Sequence, residues 1–135
     1  MKTKLIAALC VLALAPPMAA AQAPTDCVAA AATQSALNAC AYEDFLAASG
    51  EQAQRLKALD PRLSAAQRTR FRAAQKAWIG WRSAQCDFES GAAAGGSVRE
   101  FVRWGCAARL TRERTQALEQ MAACREGDAA CPLRP

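Results

Sequence analysis

Residues 64–88 read SAAQRTRFRAAQKAWIGWRSAQCDF, and this stretch decides the fold. Ser64 followed by Gln67 is a capping box, in which each side chain satisfies a backbone N–H that a helix's first turn leaves free. Phe71, Ala74, Trp78, Trp81 and Phe88 then recur at alternating spacings of three and four, broken only at Gln85. That period marks one stripe of an α-helix, whereas a half-buried strand alternates every second residue. The stripe reads as core. Arg68, Arg72 and Lys76, one turn apart on another face, read as a solvated surface. Gly91 ends the helix, and GAAAGGS over residues 91–97 forms a flexible connection.

The flanking sequence repeats the pattern on both sides. Upstream, Thr33 is an N-cap, and Leu37, Ala41, Phe45 and Ala48 follow at helical spacing, widened by Tyr42, Leu46, Ala53 and Leu56. Gly50 weakens this helix by roughly 1 kcal/mol relative to alanine. Pro61 disfavours helical geometry at Asp60, so the helix stops near Leu59. Downstream, Ser97 and Glu100 form a second capping box ahead of Val98, Phe101 and Val102. The third helix runs through Leu110, Leu118 and Met121 to about Ala123, with Gly105 as a place to bend. The expected fold is all-α: a small antiparallel three-helix bundle, a helical hairpin with one further helix, stapled by disulfides. Its core is Phe45, Phe71, Trp78, Trp81, Phe88, Phe101 and Leu118.

The chain of 135 residues opens with an export signal. Lys2 and Lys4 precede an apolar run from Leu5 to Ala15, which Pro16 and Pro17 break before the small-residue site Met18–Ala21. Cleavage is expected after Ala21, because a cut after Ala23 would leave Pro24 beside it. The run is about half of the ~20 residues that span a bilayer, so no stable membrane span is expected after cleavage. The protein is thus expected in the periplasm or secreted. The expected organisation is a signal peptide at 1–21, a flexible arm at 22–32, a helical domain at 33–123 and a tail at 124–135 closed by a disulfide.

Cleavage also changes the arithmetic. Taking 21 residues from 135 leaves 114, and losing Lys2 and Lys4 lowers the formal charge from +5 to +3. Seven cysteines become six with the loss of Cys10, an even set that reads as three disulfides in an exported chain. The sequence has no histidine and no Cys-x-x-C, which removes the commonest general base and the commonest zinc motifs. Glu43-Asp44 and Asp87-x-Glu89 are ordinary surface carboxylates, with nothing adjacent to activate a nucleophile. No catalytic residue, metal or cofactor is expected, and the chain reads as a binder and not an enzyme. No nucleic-acid partner is expected for a chain that leaves the cytoplasm.

Helix geometry restricts the cysteine pairing. Cys124 follows Cys106 by 18 positions, about 27 Å along a continuous helix. A disulfide needs Cα atoms within about 7 Å, which leaves Cys131 as the partner of Cys124. Cys27, Cys40, Cys86 and Cys106 all reach the opposite end, so three connectivities stay open among them. Cys86–Cys106 with Cys27–Cys40 is favoured, the first clamping the glycine-rich connection and the second tying the arm to the first helix.

The assembled motifs resemble a family. Cys27, Thr33-Gln34 and Leu37-Asn38-Ala39-Cys40-Ala41 are similar to its opening Cys…Thr-Gln…Met-Asn-x-Cys-Ala. AQKAWIGWRSAQC over residues 74–86 resembles its central Ala-Gln-x-Ala-Trp-x-x-Tyr/Phe-Arg-x-x-x-Cys block. Gly95-Gly96-Ser97 and Cys106-Ala107-Ala108-Arg109-Leu110-Thr111-x-x-Arg114 complete the order. This is the exported LprI-type lysozyme-inhibitor domain, and the resemblance covers roughly Cys27 to Leu118. Cys124 and Cys131 lie outside the shared pattern.

The resemblance implies a binding protein of the cell envelope and an inhibitor of lysozyme, with lysozyme or another envelope protein as partner. A charge of +3 gives no long-range steering toward a basic lysozyme, so inhibition needs a local fit to a cleft holding two carboxylates. The candidate binding residues are Gly95, Gly96, Ser97, Arg99 and Arg103. The alternative is an envelope structural or stress protein docking on an anionic envelope surface through arginines such as Arg109, Arg112 and Arg114.

Overall fold

Thr33 caps the first long helix, its Oγ1 accepting the Ala36 N–H at 3.1 Å. That helix, α2, spans Gln34–Leu59 and follows a short α1 at Thr25–Ala30. After a 3-10 turn at Asp60–Arg62 come α3 at Ala65–Glu89 and, beyond a second such turn at Gly91–Ala93, α4 at Arg99–Ala122. The computed structural model describes residues 25–125, 127–129, 131 and 133. The expected export segment, residues 1–21, lies outside them. Among the described residues there is no strand, and no helix is long and apolar enough to cross a membrane.

The long helices α2, α3 and α4 alternate in direction, which leaves α2 and α4 parallel. Asn38 near the start of α2 donates to the Ser97 carbonyl just before α4, at 2.9 Å. Arg55 and Glu119, near the ends of the same two helices, form an ion pair at 2.7 Å. The α2–α4 contact is the most extensive in the molecule, and α3 packs chiefly on α4. Small residues explain the close pairing: Ala41 and Ala48 on α2 and Ala107 and Ala108 on α4 are buried, and their short side chains let the backbones approach.

The apolar core is divided in two. Leu59, Leu63, Leu118 and Leu133 form one buried cluster, with Leu56 and Phe71 packed against it. Cys86, Cys106, Ala107 and Leu110 form the other, against Phe45 and Trp104. A polar layer lies between them. Arg114 Nε donates to Gln75 Oε1 at 3.3 Å, and Gln75 Nε2 donates to Gln52 Oε1 at 3.2 Å, linking all three long helices through two buried amides. Three disulfides tie the ends: Cys27–Cys40, Cys86–Cys106 and Cys124–Cys131, with Cα separations of 5.7, 5.5 and 5.5 Å.

Several local expectations change. Leu118 is fully buried and Phe45, Phe71, Trp78 and Phe101 are half-buried, but Trp81 is 52% exposed and Phe88 79% exposed, so these two leave the core. The cause is rotational. A straight helix turns about 100° per residue, and Cys86 must face Cys106. Measured from Cys86, Gln75 then lies about 20° round the helix and Arg82 about 40°, whereas Trp81 and Phe88 lie about 140° and 160° away. Within the expected arm at 22–32, the described residues from Thr25 onward include a helix in place of a flexible segment. This is α1, whose Cys27 is bonded to Cys40.

The capping box at Ser64 and Gln67 forms in full, but the expected second box does not. Val98 is the N-cap of α4, without a side-chain cap, while the Ser97 carbonyl is held by Asn38 and Glu100 pairs with Arg99. The glycine-rich connection is stitched by its own backbone: Ala94 bonds to Gly91 at 3.0 Å and Gly96 to Ala93 at 3.0 Å. Gly95 sits at φ +80°, where a side chain would be strained. The tail does more than close its disulfide, since Leu133 folds back onto Leu118.

Candidate functional site

Two arginines face a cleft at the cystine-braced end of the bundle. Its walls are Phe45 from α2, Arg82, Ser83 and Cys86 from α3, and Arg103, Trp104 and Ala107 from α4, around a volume of about 40 Å³. Phe45 and Trp104 stack with ring centroids 5.1 Å apart, and Tyr42 meets Trp104 edge-on at 4.8 Å. Each stacked ring carries a guanidinium: Arg82 lies 5.0 Å from the Phe45 centroid, and Arg103 lies 4.7 Å from that of Trp104. Arg82 is also 5.0 Å from the Trp78 ring, so aromatic faces hold it on two sides.

The two arginines differ in their partners. Arg103 Nε donates to Asp87 Oδ1 at 2.7 Å, and Arg99 approaches the same oxygen at 3.9 Å. Arg82 Nη1 donates to the Thr111 hydroxyl at 2.8 Å, and Thr111 passes its own hydrogen to the Ala107 carbonyl at 2.7 Å. Among the described residues no carboxylate pairs with Arg82. Burial, and then the nearby charge of Arg103, hold the Arg82 guanidinium below the usual arginine range. The hydrogen bond from Arg103 holds the Asp87 carboxyl below its ordinary range despite some desolvation. Arg103 shares Asp87 with Arg99, and Arg99 also pairs with Glu100, so among the described residues Arg82 is the guanidinium lining this cleft that has no carboxylate partner.

The expected binding residues are only partly brought together. Arg99 and Arg103 converge on Asp87, and Arg103 lines the cleft. Gly95, Gly96 and Ser97 are exposed in the connection and do not line it. Reasoning from sequence missed Arg82, Ser83 and Trp104. The usable signal was Arg82 itself, an arginine one turn from both Trp78 and Cys86 inside an otherwise core-like block. An open groove of about 340 Å³ at the other end, between Leu59 and Leu118, is lined by the Arg55–Glu119 pair and by Arg62, which donates to the Ala122 carbonyl. Among the described residues no group of three or more His, Cys, Asp or Glu side chains is placed to hold a metal ion.

A family model described as lysozyme inhibitor LprI matches residues 27–118. The chain belongs to the LprI family. The LprI match begins at Cys27 and ends at Leu118, so it takes in α2, α3 and the whole cleft. It stops short of the Cys124–Cys131 clamp. "Uncharacterized protein R02472" of Rhizobium meliloti (strain 1021) is 36% identical over 118 residues, covering 78% of this chain and 84% of its own. No solved structure matches the chain. On this LprI chain the central Gln75, Trp78, Arg82 and Cys86 turn inward together: an amide in the polar layer, a ring and a guanidinium stacked on each other, and a disulfide.

Proposed function

We propose that this chain is an exported cell-envelope protein that binds lysozyme and inhibits it, without enzymatic activity of its own. The observation that carries the reading is the LprI match, which spans the cleft and the disulfides on either side of it. The geometry supports a preorganised binder. Cys86–Cys106 and the stitched connection hold one end of the bundle rigid, which lowers the entropy lost on association. Exposed Trp81 and Phe88 on the outer face of α3 are residue types enriched at the centre of interfaces.

Docking on an anionic envelope surface has less support. Arg109 is paired with Glu89 and Glu113, Arg112 with Asp44, and Arg114 packs on Trp78. The basic run is therefore consumed inside the molecule, which leaves little free charge for a polyanion.

The test is titration of the oxidised exported protein into lysozymes of several types while cell-wall lysis is followed. Saturable loss of lysis is expected with at least one type, and a reduced sample should lose the effect. Unchanged lysis at a large molar excess against every type would sink the inhibitor reading.

A further inference from the structure

We propose that the cleft between Phe45, Arg82, Ser83, Arg103 and Trp104 is a carboxylate-binding site, shaped for an Asp or Glu side chain presented by a protein partner. The inference goes beyond the lysozyme reading, because it stands on the cleft alone and holds whichever protein the chain meets. Arg82 is a half-buried cation with one hydroxyl acceptor, two aromatic faces and, among the described residues, no carboxylate. A cation in that setting lacks the counter-charge that buried charges ordinarily require. Arg103 supplies a second guanidinium on the opposite wall, with Asp87 neutralising it from the rim.

Four features choose the ligand. The guanidinium is a planar fork that matches the two oxygens of a carboxylate. Of the two arginines lining the cleft, Arg103 is paired with Asp87 and Arg82 has no carboxylate among the described residues, and one unpaired cation suits a single negative charge better than the nearly two of a phosphate monoester. The volume of about 40 Å³ admits a group of a few heavy atoms. Phe45, Trp104 and Ala107 make the rest of the wall apolar, which suits the methylene stem of an acidic side chain and strengthens the charge pairing by excluding water. The supporting disulfide, Cys86–Cys106, contributes Cys86 to the same wall and keeps α3 and α4 in register.

The experiment is NMR on the oxidised exported protein, following the arginine Nε–H signals at neutral pH and constant ionic strength. The probes are sodium acetate, inorganic phosphate, and the blocked peptides acetyl-Gly-Glu-Gly-amide and acetyl-Gly-Gln-Gly-amide. Acetate and the Glu peptide should shift Arg82 saturably, while chloride and the Gln peptide should not. Arg82→Gln should weaken both ligands about tenfold or more, the size of one charge-assisted hydrogen bond. Because that variant could disturb the stacking on Phe45 and Trp78, Ser83→Glu gives an independent reading. It places a carboxylate in the cleft from its own wall, and should raise the thermal midpoint and abolish the acetate response. Four results would each overturn the proposal: no saturable Arg82 shift, an equal shift at the exposed Arg72, tighter binding of phosphate than of acetate, or a response to acetate without one to the Glu peptide. Retained acetate binding in Ser83→Glu would do the same.

Discussion

Arg112 on α4 grips Asp44 on α2 with both arms of its guanidinium, one nitrogen on each carboxylate oxygen. The Asp44 side chain is only 14% exposed, so this pair joins the two parallel helices with little water around the carboxylate. Its hydrogen bonds to the Asp44 carboxylate hold the Arg112 guanidinium above the usual arginine range, against the opposing effect of burial. Asp44→Ala leaves that guanidinium unpaired. Arg112 remains 40% exposed, which lets water compensate in part, so the expected cost is about 1–3 kcal/mol in urea unfolding.

Leu118 is fully buried among Leu59, Leu63 and Leu133. Leu118→Ala removes its packing and leaves a cavity, at an expected cost of about 2–5 kcal/mol. Phe88→Ala is the contrasting case. With the ring 79% exposed, its thermal midpoint should match wild type and its stability should change by no more than about 0.5 kcal/mol.

Cys86–Cys106 closes a separation of 20 residues around the stitched connection. Replacing both cysteines by serine should cost on the order of 3 kcal/mol, mainly by freeing the unfolded chain. The polar layer makes a second readout available. Once the bond that fixes the rotation of α3 is gone, the Arg82 Nε–H signal should shift in the NMR spectrum.

Acid should weaken the cleft end of the bundle. Asp87 is held below its ordinary range chiefly by the Arg103 hydrogen bond, and Glu89 chiefly by Gln85 and then Arg109. Groups depressed on folding contribute stability above their unfolded pKa and lose it as pH falls through the folded value. The urea midpoint should therefore stay level from neutral pH to about 5 and fall below about pH 4. The Asp87→Asn, Glu89→Gln double variant should show a shallower acid decline.

Much of the helical framework was legible because its signals are local. Thr33 and Ser64 cap helices through bonds to residues three positions on. Helix α2 does end at Leu59, but Asp60 before Pro61 keeps helical dihedrals and leads into a 3-10 turn, so the expected exclusion of helical geometry there does not occur. Ser97 shows the limit of that logic. Its sequence context matches a capping box, but Asn38, 59 positions away, takes its carbonyl and the helix begins beyond Val98. The candidate site was legible in Arg103 and hidden in Arg82, because an arginine directly after Trp81 reveals its ligand-facing side only once the facing helix is known.

By itself the sequence determined the three long helices, their order and the all-α class, since capping and a 3.6-residue period act within a few turns of chain. The rotation of those helices was decided only by the tertiary structure. The Cys86–Cys106 bond turns Gln75 and Arg82 inward and sends Trp81 and Phe88 to solvent, against their hydrophobicity. A periodic stripe records that a helix has a preferred face, but which face is buried depends on the partner surface it meets. Here that surface, with Thr111 ready to accept from Arg82, belongs to a helix 29 positions further along the chain.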